Sequence, residues 1–599
     1  MATITSVSSG NWSAPGTWDT GVPADGDDVV IASGHTVTFD VDQSDFTIGV
    51  KITITGTLNH ALTGGPYKLF LKAGAGAITG TGTWNVGTSA NPIPFAVKHT
   101  ITGGAGWGVT GNATTGLTCT IYGTEPVHQW VRFSANEAAG QTELSIDTDI
   151  TGEANYWKAG DKVLISTNKG CTEVEERTIV SATANTLTIN SGLSAAKNIG
   201  DHIVLLTRNV TILQVAAGNG FASFLEGKLT IGSCAISTQN NYMLRDCAYP
   251  VISGGVFYYG GTYNGGAIYN NTGIQITGGV FTGMNRVIYG TTRARMSGGL
   301  ICGCNEPFSG AAQAVITGGK VYGNKANDLG MFYNSDGLRL LGGTFEKAPD
   351  SSLGVIAGNK DVYINGATFL NNVGVFGEDC WNIQCASATF TGNTYIFRRH
   401  CSGKMHGATF TGTSTEWDGP TYIANGSILE ILDYGGTSGA YKAWCGAGII
   451  TSQSSVVPSG YAQANLMTLN ANGPEISWYP VGFSVAAGHS VSIEVQLRKS
   501  VSMTNLPKVF LSYEKNKPET LDGSELDSFT MTNSIDTWES DTFTIDNTAG
   551  DKQLDCKLTF YVYRQTSGNV YSAYKITDTT PSSGGGGSVK ILPLGRIGL

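Results

Sequence analysis

A six-residue pattern returns eight times between residues 252 and 410, and no other feature constrains the fold as much. The copies read Ile252-Ser-Gly-Gly-Val-Phe257, Ile276-Thr-Gly-Gly-Val-Phe281, Met296-Ser-Gly-Gly-Leu-Ile301, Ile316-Thr-Gly-Gly-Lys-Val321, Leu340-Leu-Gly-Gly-Thr-Phe345, Ile364-Asn-Gly-Ala-Thr-Phe369, Cys385-Ala-Ser-Ala-Thr-Phe390 and Met405-His-Gly-Ala-Thr-Phe410. The first and last residues are apolar in every copy, and the middle pair is small. The steps are 24, 20, 20, 24, 24, 21 and 20 residues. Short β-prone pieces at this period, without helical periodicity, predict a parallel β-solenoid. One turn cannot bury its inward face alone, so the apolar positions must stack rung on rung. The glycine pair predicts a corner, where positive φ or close backbone approach is needed. The unequal steps predict loops of variable length leaving one corner. Weaker copies at Ile231-Gly-Ser-Cys-Ala-Ile236 and around Ile212 carry the ladder backwards.

Composition agrees and excludes several classes. The 82 Gly of 599 residues follow no G-X-Y period, which excludes collagen. Apolar residues reach 41%, enough for a large core, and charged residues only 14%, which suits β-structure. A net charge of −10 disfavours a nucleic-acid partner, because phosphate contacts need clustered Lys and Arg. Met1-Ala-Thr-Ile-Thr-Ser6 lacks the basic and apolar regions of a secretory start. No run of about 18 apolar residues is present, so no membrane association is expected. The 11 Cys are odd in number and irregularly spaced, and are expected to be reduced thiols packed as small apolar groups. Synthesis and folding in a cytoplasm follow from that reading. No zinc spacing or nucleotide loop is found, so neither metal nor cofactor is expected.

The N-terminal third carries Trp12, Trp18, Gly26-Asp-Asp-Val-Val-Ile31 and Gly34-His-Thr-Val-Thr-Phe-Asp40, then Trp157-Lys-Ala-Gly-Asp161 and Leu205-Leu-Thr-Arg-Asn-Val-Thr-Ile212. These features, over 10–45 and 157–210, resemble the G8-type module that enters β-helices. The repeat region resembles the right-handed parallel β-helix of pectate lyases and phage tailspikes. From about 435 the pattern changes to longer alternating strands: Val491–Leu497, Val509–Tyr513, Asp541–Ile545 and Leu558–Tyr563. Every second residue in them is apolar, as half-buried antiparallel strands require. They resemble the jelly-roll sandwiches of carbohydrate-binding modules. The expected fold is therefore all-β, a right-handed parallel β-helix with 20–24 residue rungs followed by an antiparallel jelly-roll β-sandwich. The expected parts are a cap with first rungs (1–127), a small barrel-like β insertion (128–209), regular rungs (210–434), the sandwich (435–578), and a Gly-rich linker with an apolar tail (579–599).

Candidate sites are scattered. Acids for general acid and base work stand at Asp328, Asp336, Glu378 and Asp379, without a recognised spacing. Arg398-Arg399-His400 offers bases, but no calcium loop accompanies it. Flat aromatic rings suit sugar contact. Tyr258, Tyr259, Tyr263 and Tyr269 are placed in one rung's loop, Trp381 and Trp417 in later loops, and Trp478 and Trp538 in turns of the sandwich. Tyr561 and Tyr563 are placed on the sandwich face opposite the Leu558-Phe560-Val562 side. Ile591, Leu592, Leu594, Ile597 and Leu599 form an apolar tail suited to docking by strand addition. The expectation is a phage virion surface protein: a tail fibre, tailspike or capsid fibre with a rigid stalk and a glycan-attachment module. Its partners are cell-surface polysaccharide and other virion proteins, and resemblance to tailspikes implies a homotrimer. The alternatives are a polysaccharide lyase or glycosidase on a β-helix, and an extracellular or cell-surface bacterial adhesin.

Overall fold

In the computed structural model, the repeats are turns of a parallel β-solenoid; the turns between residues 242 and 346 carry three short strands each, and at Tyr363–Leu370 and Cys380–Thr391 the two strands flanking the corner run together. The chain divides into two compact units, Met1–Asn359 with Ala367–Gly374, and Lys360–Gly366 with Val375–Leu599. The structure describes residues 1–411 apart from 73–75, 102–106, 112–115, 154, 168, 215–219, 225–228, 239–241, 260–265, 324–329, 349–353, 378–379, 398–400 and 406–408. Beyond 411 it describes the strands and some turns, up to residue 579.

Three parallel ladders form the walls of the first unit. The first runs through Tyr242–Arg245, Gly266–Tyr269, Arg286–Tyr289, Glu306–Ser309, Phe332–Tyr333 and Ile356–Ala357. The second runs through Leu229–Ile231, Val251–Ile252, Gln275–Ile276, Arg295–Met296, Val315–Ile316 and Arg339–Leu340. The third runs through Ala235–Thr238, Val256–Tyr259, Val280–Thr282, Leu300–Cys302, Lys320–Tyr322 and Thr344–Glu346. In-register pairing puts like residues above like. Phe257 stacks on Phe281 at 4.7 Å and Phe308 on Phe332 at 4.6 Å. Ile252, Ile276, Met296, Ile316 and Leu340 are all buried. Each such side chain stabilises the stack by about 1.5–3 kcal/mol relative to exposure.

The glycine pair sits where the second ladder turns into the third. A Cβ on Gly278 would lie 2.2 Å from the carbonyl oxygen of Ser253, one rung below, and Gly279 has φ +86°. The first glycine thus permits backbone contact between rungs, and the second permits the left-handed corner. The corner from the first ladder to the second uses polar capping instead. Asn359 accepts from the Ser335 amide and donates to the Phe332 and Ala357 carbonyls at 2.8 Å. The third corner carries the length variation. Val280–Thr282 leads quickly into Arg286–Tyr289, whereas Val256–Tyr259 and Lys320–Tyr322 take longer paths to Gly266–Tyr269 and Phe332–Tyr333.

The early rungs fill the interior with rings. Trp12, Phe39, His60, Trp84 and His99 are buried. Nε2 of His60 lies 3.0 Å from Nε2 of His99, and Trp84 stacks on His99 at 5.3 Å. Burial lowers both histidines, His60 opposed further by the His99 ring, and His99 falls to about 3. Burial acts the other way on thiols, pushing Cys302 up to about 11 and Cys385 to about 12.

Where later rungs spend two glycines on a corner, one early rung sends out a whole module. The chain leaves after Thr118–Ile121 and returns at Val210–Gln214. Between them lies a six-stranded antiparallel sheet. Its order is Trp130–Arg132, His202–Leu205, Lys162–Ser166, Glu175–Ala182, Thr186–Ile189, Glu143–Ser145, and a Phe133–Ile146 bridge joins its two edges. It has its own core, including Phe133, Leu144, Ile165, Leu187 and Leu205. Its other face packs through Leu164, Val204 and Leu206 onto outward residues of the third ladder: Ala235, Val256, Val280, Leu300, Cys302 and Tyr322.

In the second unit two antiparallel sheets share one core. One contains Ile450–Gln453, Asn465–Leu469, Gly568–Asp578, His489–Lys499 and Glu539–Asn547. The other pairs Ile476–Val485 with Leu554–Tyr563, then Lys508–Tyr513 and Glu525–Thr530. Val491, Ile493, Val495 and Phe543 of the first meet Val509, Leu511, Leu558 and Phe560 of the second, which makes a sandwich.

Two outcomes test this account. Gly278→Ala should destabilise the solenoid by about 1–3 kcal/mol in denaturant titration. Gly16→Ala, whose Cβ meets nothing within 4 Å, should stay within about 0.5 kcal/mol of wild type. The second outcome concerns pH. The unfolded chain protonates its histidines near 6.5, whereas folded His60 and His99 resist protonation until far lower pH. Stability is therefore fully present above about pH 7 and falls as pH drops from 6.5 toward 4. The double variant His60→Leu, His99→Leu should show a shallower fall in melting temperature across that window. An unchanged slope would refute the assignment.

Candidate functional site

An outward stripe of tyrosine and arginine runs along the first ladder. Strand residues alternate between interior and exterior, so Leu244, Ile268 and Ile288 point inward and are buried, while Arg245, Tyr269 and Tyr289 stand opposite one another outside. Ser309, which is buried, and Tyr333 continue the same row. A parallel row holds Tyr242, Gly266, Arg286 and Glu306. Gly266 leaves space beside Tyr242, whose ring leans onto Tyr269 at 4.2 Å and 14°. Tyr269 in turn stacks on Tyr289 at 5.2 Å, and the Arg286 guanidinium lies 4.3 Å from the Tyr289 centroid. Arg245 lies 5.3 Å from the Tyr269 centroid.

The charges are arranged as well. Arg286 Nε donates to Glu306 at 2.7 Å, and Glu306 is buried. Arg245 faces Asp246 at 3.0 Å on the open surface. Desolvation raises Tyr242, followed by the fields of Tyr269 and Tyr289, so the phenol stays protonated. The three rings are half-buried, with faces covered by one another and by guanidinium groups. As half-buried side chains they keep part of their surface for a ligand. The stripe can therefore donate and accept hydrogen bonds and present positive charge, but it offers little free ring face.

The residues singled out from sequence fall in other places. Tyr258 and Tyr259 lie on the strand Val256–Tyr259 rather than in a loop, because the β-prone run after the glycine corner simply continues. Tyr258 packs beneath the insertion, and burial raises its phenol; Tyr259 is buried. Tyr269 also lies on a strand, Gly266–Tyr269, and belongs to the stripe. Trp478 lies within Ile476–Val485 rather than in a turn, in register with Tyr561, while Ile476 is in register with Tyr563. Trp538 is half-buried and meets the Tyr571 ring edge-on at 6.3 Å, with Arg498 on the same ring at 5.5 Å. Trp381 lies on the strand Cys380–Thr391. Asp336 is exposed in a turn, and its backbone carbonyl accepts from the Gln313 amide at 2.7 Å. Tyr263, Asp328, Glu378, Asp379, Arg398, Arg399, His400, Trp417, Ile591, Leu592, Leu594, Ile597 and Leu599 lie outside the described residues. Sequence reasoning missed Tyr242, Tyr289 and Arg286. The available signal was an Ile-Tyr pair ahead of a left-handed corner residue, at Ile268-Tyr269 and Ile288-Tyr289, one rung apart.

Among the described residues, no group of three or more His, Cys, Asp and Glu is placed to hold a metal ion, and no helix is long and apolar enough to cross a membrane.

The G8 domain family matches residues 17–133. That stretch includes most of the first G8-like features, whereas those at 157–210 lie beyond it, in the insertion and the strand that follows. No curated protein matches the chain. Among solved structures, the Pseudomonas phage phi297 tailspike is similar at 10% identity and TM-score 0.20, over 87% of this chain and 89% of that one. The tailspike of Acinetobacter baumannii bacteriophage AP22, solved with a capsular saccharide of that bacterium, is similar at 10% identity and TM-score 0.16, over 92% and 91%. The enzymatically active domain of bacteriophage CBA120 tailspike protein 2 is similar at 10% identity and TM-score 0.21, over 93% and 83%. At this level of similarity no residue role passes from those proteins to this chain.

A double-mutant cycle tests the stripe as a unit. Tyr269→Ala and Tyr289→Ala should couple by about 0.5–1.5 kcal/mol in stability. Additive effects would mean that the rings do not support one another.

Proposed function

We propose that the chain is an attachment protein on the surface of a bacteriophage virion, as a tail fibre, tailspike or capsid fibre, and that it engages a host cell-surface polysaccharide. One observation supports this reading above the others. A polar aromatic stripe is repeated over successive rungs, while the third ladder of the same rungs is covered by the insertion. A repeated ligand such as a polysaccharide matches a repeated surface. The solenoid serves as stalk and as ligand-bearing wall. The virion setting and a trimeric assembly carry over from the sequence-level resemblance to tailspikes, and attachment to other virion proteins belongs to the same proposal.

Binding without turnover is the favoured form. Of the described acids along these rungs, Glu306 is buried against Arg286, Asp246 lies beside Arg245, and Asp336 is exposed in a turn. Glu306 and Asp246 are each held by an arginine, so the two do not form the acid–base pair that glycan cleavage uses.

Purified protein should compete with phage adsorption to host cells, and mass spectrometry should find the chain in purified virions. Incubation with host polysaccharide should yield retention without new oligosaccharides. Oligosaccharide release would replace the binder with a depolymerase, and absence from virions would remove the phage assignment.

A further inference from the structure

We propose that the stripe takes an anionic polysaccharide laid along the solenoid, held by phenol and guanidinium hydrogen bonds rather than by ring stacking. This rests on the attachment reading and names the ligand class at that site.

The ring faces argue first. Tyr242 stacks on Tyr269 and Tyr269 on Tyr289, and the Arg286 guanidinium lies 4.3 Å from the Tyr289 centroid. A neutral sugar bound by stacking needs a bare face, and the middle ring, Tyr269, has Tyr242 and Tyr289 stacked on it from the rungs on either side and Arg245 at 5.3 Å. The row's outer edge repeats at the rung spacing of roughly 4.8 Å, about the length one pyranose adds to an extended chain.

Charge argues second. The chain as a whole is at −10. On the first ladder Arg245 and Arg286 are paired with Asp246 and Glu306, Arg293 is exposed at the corner, and Arg295 and Arg339 are exposed on the adjoining second ladder against Asp336, so the balance over these rungs is positive. Guanidinium binds carboxylate through two parallel hydrogen bonds, which suits uronate or other acidic sugars.

The corner position argues third. Arg293 is exposed at a left-handed corner, φ +56°, whose equivalents in neighbouring rungs are Tyr249, Gly273, Gln313, Gly337 and Asp361. Non-glycine residues are therefore usual at this corner, and Arg293 is the basic one among these six. Its Nε reaches Gln313 Oε1 at 3.3 Å, which keeps the guanidinium beside the stripe's corner.

The test uses full-length protein, with polygalacturonate and its carboxyl-reduced form as probes. The polyuronate should bind roughly tenfold or more tightly than the reduced polymer, and binding should weaken as salt rises. The double variant Arg245→Gln, Arg293→Gln should lose roughly tenfold or more in polyuronate affinity with an unchanged melting temperature. Arg286 is left in place because Glu306 is buried beside it. Tyr269→Phe, which keeps the stack and removes one hydroxyl, should weaken binding in the same direction. Equal binding of both polymers, wild-type affinity in the double variant, or no polyuronate binding would each overturn the inference. Self-association of the protein that the double variant abolishes would assign the stripe to a second copy, and would overturn it too. If any of these occurs while the protein still competes for phage adsorption, the ligand class falls and the attachment reading stands.

Discussion

Backbone hydrogen bonds between parallel rungs set the distance at which side chains must stack, and the first unit depends on that spacing. At this separation a Phe or Ile meets its own kind above and below, so a repeated sequence becomes a continuous core. The same closeness leaves no space for a Cβ at the corner occupied by Gly278, and it demands a left-handed residue next to it. Glycine is thus required by approach distance at one position and by backbone angle at the next. The polar corner solves the same geometry differently, with asparagine side chains taking up amides and carbonyls of neighbouring rungs.

A solenoid wall has an outside as well as an inside, and what happens there depends on what covers it. The residue following the glycine pair is Val256, Val280 and Leu300 in three successive rungs, then Lys320 and Thr344. The apolar members lie under the insertion, through Leu164, Val204 and Leu206. The change to polar residues coincides with the edge of that footprint. At the edge, Tyr322 donates to Asp201 at 2.6 Å, and Lys347 donates to the Ile199 carbonyl at 2.8 Å. His202, with a ring 4.3 Å from that of Tyr322, is kept neutral chiefly by burial. The module thus removes one wall from solvent, and the tyrosine stripe stands on another.

Much of this was legible in the chain. The eightfold pattern specified stacked rungs, the glycine corner and one corner of variable length, because each follows from a local requirement repeated in register. Period-two alternation in residues 491–563 specified half-buried antiparallel strands for the same reason. The candidate site was less legible. Tyr258 and Tyr289 look alike in sequence, each an aromatic in a short β-prone piece, yet one is covered by a module inserted far upstream and the other faces outward. Trp478 was expected in a turn, and pairing with Leu554–Tyr563 places it inside a strand that runs on through Pro480 and Gly482.

By itself, then, the sequence determined the architecture: parallel rungs, their period, their inward residues and the change to a sandwich. These are decided by contacts between residues at fixed, short separations. Only the tertiary structure decided which outward residues form a surface, because that depends on contacts far apart in the chain. The insertion that covers the third ladder, the glycine that lets Tyr242 lean onto Tyr269, and the glutamate buried against Arg286 act across rungs. Their effect is set by distance in space, which no single stretch of sequence records.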